Sequence, residues 1–166
     1  MKKLMQILAV LLTIVSLPTH AALKGSSTSW ETEASVDEFT DKKKTFSMIA
    51  AEGGLDKGFI MIGCYSSGGF EGKVGAGQYI GDKDISENVK FRVDKNEPVT
   101  LTMNPTSKTY VYFNDMDSPF IKQLISGKES VVVQLTSYDY DTSKAKFSLK
   151  GAATAINKVL DACKAK

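Results

Sequence analysis

The chain has 166 residues, 42% hydrophobic and 24% charged, with 13 Gly and 4 Pro, a globular composition that excludes disordered and fibrous classes and suits one domain. The formal charge is +2, and loss of Lys2 and Lys3 with a leader would leave 19 cations against 19 anions, a balance that gives no electrostatic reason to seek nucleic acid or an anionic membrane. The single histidine, His20, lies in the same leader, so histidine-based nucleophile pairs and histidine-ligated metal sites are excluded from the mature chain.

Residues 1–21 read as a secretory signal: Lys2 and Lys3 form a basic start, Leu4 to Leu17 is largely apolar, and Thr19-His20-Ala21 sets small residues before cleavage after Ala21. That stretch is too short to span a bilayer comfortably, and no later apolar run approaches about 20 residues. The expectation is one β-rich domain over residues 22–166, periplasmic or secreted, without membrane insertion. No cysteine closely follows Ala21, which argues against a lipid anchor.

Along the mature chain, Ser27 to Val36 and Lys43 to Ala51 read as strands, and Gly53-Gly54 as a turn. Phe59 to Tyr65 is nearly continuous apolar sequence, the pattern of a strand buried on both faces. Lys73 to Ile80 carries Gly75 and Gly77 and reads as a bent or bulged strand. Val89, Phe91 and Val93 alternate with Lys90, Arg92 and Asp94. Val99 to Met103 and Lys108 to Asp115 follow as a hairpin, with Val111 and Phe113 on one face and Tyr110 and Tyr112 on the other.

Ser118-Pro119 marks a helix start, and Phe120, Ile121, Leu124 and Ile125 keep helical spacing until Gly127. Ser130 to Tyr140 and Lys144 to Lys150 are strands of a second hairpin. Finally, Ala152, Ala155, Ile156, Val159, Leu160 and Cys163 form one stripe of a terminal helix. With no β-α alternation, the fold class is mainly β: an antiparallel sandwich or curved sheet with a short inserted helix and a C-terminal helix.

Cys64 and Cys163 are the only cysteines, and an oxidising compartment favours a disulfide between them that ties the last helix to the sheet. A two-cysteine metal site would lack further soft ligands, so no metal or cofactor is expected.

Phe91-Arg92-Val93-Asp94, Tyr138, Phe147-x-Leu149-x-Gly151, Ala155 and Cys163, preceded by Trp30, Thr40-Asp41 and Cys64, resemble the VasI-like family of periplasmic proteins associated with type VI secretion. The resemblance spans most of residues 28 to 163. It implies an exported accessory protein without an established enzymatic activity, whose partner is an envelope or secretion-system protein.

Arg92 is the only arginine. Strand spacing puts it on one face with Asp94, where its planar fork can grip a carboxylate or phosphate of a partner, or form a rim ion pair. Tyr110, Tyr112, Tyr138 and Tyr140 can form an aromatic patch if their strands are neighbours. The candidate binding residues are therefore Arg92, Asp94, Trp30, Tyr110 and Tyr112.

The acidic groups Asp37, Glu38 and Asp41, Asp115 with Asp117, and Asp139 with Asp141 lack the spacing of a calcium loop and suit solvated turns. Gly68 to Gly77 lacks the helix start and lysine of a phosphate loop and reads as a flexible hairpin. The expected function is a non-enzymatic binding or accessory module. The rivals are an inhibitor of a lysozyme-like enzyme and a small envelope hydrolase using a carboxylate pair.

Overall fold

Period-two alternation of apolar residues accounts for most of the architecture in the computed structural model, which describes residues 28–66, 69–81, 87–105 and 107–165. The leader expected at 1–21 lies outside the described residues. The elements are β1 (Glu31–Val36), β2 (Lys43–Ala51), β3 (Gly54–Tyr65), β4 (Gly69–Gly75), β5 (Glu87–Val93), β6 (Val99–Pro105), β7 (Tyr110–Phe113), α1 (Pro119–Ser126), β8 (Ser130–Thr136), β9 (Thr142–Ser148) and α2 (Ala152–Lys164). All strand pairs are antiparallel, in the order β1-β2-β3-β4-β7-β6-β5-β8-β9. The mainly β, antiparallel curved sheet with an inserted and a C-terminal helix is thus observed.

The sheet curls until β9 lies against β2 and β3. The Glu52 N–H donates to the Lys146 carbonyl at 2.8 Å, and the Trp30 indole donates to the Ser148 carbonyl at 3.0 Å. Inside the curl lie Ile49, Ile60, Ile62 and Val74 from one half and Val89, Phe91, Val131, Val133 and Phe147 from the other, each at most 1% exposed. Helix α1 contributes Phe120, whose ring meets Phe91 and Phe113 edge to face at 4.9 and 5.6 Å. Ser118 caps that helix, its Oγ accepting from the Ile121 N–H, with Pro119 in the first turn.

Helix α2 packs on β2, β3 and β4, burying Ala152, Ala155, Ile156, Val159 and Leu160. The buried Ser47 hydroxyl donates to the Ala155 carbonyl at 3.0 Å, satisfying the one fully buried polar side chain of β2. Cys64 and Cys163 form the expected disulfide, with Cα atoms 5.4 Å apart, and it anchors the end of α2 to the end of β3.

Three expectations need correction. β3 is not buried on both faces: Ile60, Ile62 and Cys64 are buried, whereas Phe59, Met61 and Tyr65 on the other face are only half-buried. The strand expected from Lys73 to Ile80 ends at Gly75, and residues 69–75 are a regular inner strand of the sheet, paired with β3 and β7. The strand expected to reach Tyr140 stops at Thr136. Ser137 then closes a turn by donating its N–H to the Asp141 carbonyl at 2.8 Å, which leaves Tyr138 and Tyr140 exposed in that turn.

Candidate binding surface

Because side chains alternate along a strand, the face of β2 and β3 opposite the core presents Phe46, Met48, Phe59, Met61 and Tyr65. Register brings them together: Met48 stands beside Met61, Met61 beside Lys73, Lys73 beside Tyr112, and Phe59 beside Gly75, which faces Tyr110. Tyr110 and Tyr112 therefore do join an apolar surface, with β3 across β4 rather than with Tyr138 and Tyr140. Phe46, Met48, Phe59, Met61, Tyr65, Tyr110 and Tyr112 are all half-buried. Helix α2 packs on the other side of β2, β3 and β4, and α1 meets β7 from that side through Phe120, so solvent is what this face meets among the described residues.

Two glycines shape the surface. A Cβ at Gly75 would stand 3.0 Å from the Phe59 ring, and one at Gly63 would stand 2.8 Å from the Tyr65 ring, so each glycine leaves room for an aromatic ring laid over the sheet. The glycine-rich segment is therefore a platform for rings contributed by its neighbour strand. Phe59 and Tyr110 meet at 5.6 Å in a T-shaped contact. Beyond Phe59 the face runs into a groove of about 330 Å³ lined by Leu55, Phe59, Gly75, Gly77 and Tyr79, and Tyr79 packs edge to face on Tyr138 at 5.7 Å.

One ion pair crosses the surface: Lys73 donates to Glu71 at 2.7 Å. Desolvation pulls the Lys73 pKa down, but the Glu71 hydrogen bond and charge, with Tyr65 and Tyr110, outweigh it and leave the ammonium group above its usual value. Burial pushes the Tyr65 phenol up, assisted by Glu71 and opposed by Lys73. Both groups keep their ordinary neutral-pH charge states, so the face is mainly apolar, with one neutralised pair and, at its edge, Lys44 lying over the Phe46 ring at 5.9 Å.

The other candidates lie elsewhere. Trp30 is spent on the seam with β9. Arg92 is exposed on β5, its Nε donating to the Asn96 carbonyl at 2.9 Å and an Nη to the Lys95 carbonyl at 3.3 Å, which braces the β5–β6 turn. Asp94 does not continue the alternation toward Arg92: its φ is 50°, and its carboxylate accepts the N–H groups of Lys128, Glu129 and Ser130 at 2.8 to 2.9 Å. Those three bonds, Lys128 first, lower its pKa. No Arg92–Asp94 ion pair forms, because the strand ends at Val93 and Asp94 turns to pin the start of β8.

The carboxylate groups serve turns. Asp37 accepts from Phe39 N, Thr40 N and the Thr40 hydroxyl, Asp115 accepts from Asp117 N at 2.8 Å, and Asp139 accepts from the Ser137 hydroxyl. The Asp37 turn also displays Phe39, 97% exposed, a residue that the hydrophobic pattern of the sequence did not single out.

No protein-family model matches the chain, and no curated protein matches it. Among solved structures, the crystal structure of invasion associated protein B from Bartonella henselae has the same fold, with a TM-score of 0.53 and 14% sequence identity over 84% of this chain and 96% of that one. At that identity the likeness is one of fold, and it leaves the VasI-like resemblance where the sequence put it.

Proposed function

We propose that this chain is an exported, non-enzymatic binding module of the bacterial envelope, acting as an accessory protein whose partner lies flat on the outer face of β2, β3, β4 and β7. The observation that carries this reading is the half-exposed Phe, Met and Tyr surface that neither helix covers. Tyr, Phe and Met are enriched where proteins dock, because they bury large areas at low entropic cost and methionine adapts to its neighbour. A disulfide of this kind suits an oxidising compartment outside the cytoplasm.

The VasI-like resemblance and the invasion-associated name of the fold neighbour both agree with an envelope setting, the former with a secretion assembly as partner. One carboxylate of each acidic group, Asp37, Asp115 and Asp139, is taken up by its own turn, which supports a binding role over hydrolysis by a carboxylate pair.

Met61→Glu tests the proposal. The new carboxylate would stand beside Lys73, an opposite-charge cross-strand pair that offsets part of the lost packing, so the fold should survive. A variant with a melting point close to the parent that no longer co-purifies with the parent's envelope partner supports the reading. Unchanged co-purification removes this face from the interface.

A further inference from the structure

A net charge near zero is an average, and strand order segregates it. Lys90 stands opposite Gln134, which stands opposite Lys144, and Arg92 stands opposite Val132, which stands opposite Lys146. All four cations are exposed, and they occupy the corners of a rectangle centred on β8. From strand spacing and rise its sides are about 10 Å and 7 Å. The other described outward positions on these three strands are Ser, Thr, Val and Gln.

Among the described residues, Lys146 alone of the four has a carboxylate partner, Glu52 at 3.0 Å, and that pair is half-exposed. Arg92 spends its Nε and one Nη on the carbonyls of its own turn, which fixes the guanidinium at the exposed end of β5 and leaves its charge unneutralised. Lys90 and Arg92 on β5, and Lys144 and Lys146 on β9, each stand two residues apart on one face, about 7 Å, so each pair repels its neighbour, and a negative surface covering the face relieves that repulsion.

We infer that this face is a docking surface for the anionic headgroups of a lipid bilayer. The cations project from the outer side of a sheet, where a planar array of phosphates can meet all four together. No aromatic ring stands among the described outward positions of β5, β8 and β9 to stack on a base or sugar, which disfavours a nucleic acid or a glycan as the occupant. The face is distinct from the Phe, Met and Tyr surface and does not depend on the role given to it.

The test is co-sedimentation of the disulfide-bonded protein with vesicles of phosphatidylcholine, with or without phosphatidylglycerol, at low and high salt. Each cation is expected to strengthen partitioning onto the anionic vesicles about fivefold, with binding absent on neutral vesicles and lost at high salt. Replacing Lys90, Arg92, Lys144 and Lys146 with Gln should abolish it. A control with Gln at Lys42, Lys108, Lys122 and Lys158, which makes the same change in net charge elsewhere, should keep it, and circular dichroism confirms that both variants are folded. Equal loss in the two variants, retention by the first, or binding to soluble polyphosphate without binding to anionic vesicles overturns the inference.

Discussion

Removing the disulfide as Cys64→Ala with Cys163→Ala gives the most quantitative test of the fold. The two cysteines are separated by 99 residues, and closing a loop of roughly 100 residues removes up to about 4.7 kcal/mol of unfolded-chain entropy. Cys64 is 3% exposed, so truncating its sulfur adds a small packing loss to that figure. Helix α2 should nevertheless stay docked through Ile156, Val159, Leu160 and the Ser47 bond to Ala155. With a urea m-value of about 2 kcal/mol/M, a loss of that size lowers the midpoint by roughly 2 M. The m-value should also rise, since the uncrosslinked unfolded chain exposes more surface. Urea unfolding followed by circular dichroism, on the oxidised parent and the double variant, reads both quantities. A midpoint shift below about 0.5 M would refute the claim that this crosslink constrains most of the chain.

Ser118→Ala should cost about 0.5 to 1 kcal/mol, the lower part of the range for a lost N-cap, because its bond to Ile121 N is long at 3.4 Å; thermal unfolding checks this. Asp94 has a lowered folded pKa, so its stabilisation is present above the unfolded value of about 4 and fades as pH falls through the folded one. The stability gap between the parent and Asp94→Asn, which tolerates the same positive φ, should accordingly be wider at pH 6 than at pH 3 in urea titrations, and a constant gap contradicts the assignment. Arg92→Lys should shift stability by less than about 0.5 kcal/mol, since the lost bonds are to exposed turn carbonyls, and should leave co-purification with the partner intact.

What the sequence discloses follows the range of the interactions. The β5 and β9 alternations, the Ser118-Pro119 helix start and the Cys163 stripe are local patterns, and the structure reproduces them. The apolar run of β3 misled because its outward members, Phe59, Met61 and Tyr65, are as hydrophobic as its core members. Their exposure depends on both helices choosing the other side. The glycines of β4 read as flexibility, but Gly75 makes room for Phe59 from the adjacent strand, a contact visible only once register is known.

Arg92 and Asp94 looked paired because alternation was extended one residue too far. The positive φ at Asp94 and its three bonds to the 128–130 backbone are long-range consequences of where β8 begins. The grouping of Lys90, Arg92, Lys144 and Lys146 was likewise illegible, since it needs β8 inserted between β5 and β9.

The central claim, that the outer face of β2, β3, β4 and β7 receives a partner, is tested most directly by photocrosslinking in the bacterial envelope. A benzophenone side chain replaces Tyr112 in one version and Lys122, exposed on α1, in another. The account predicts one discrete, light-dependent adduct from position 112, lost on adding Met61→Glu, and none from position 122. Light-dependent adducts of equal yield from both positions, or none from position 112, would contradict it.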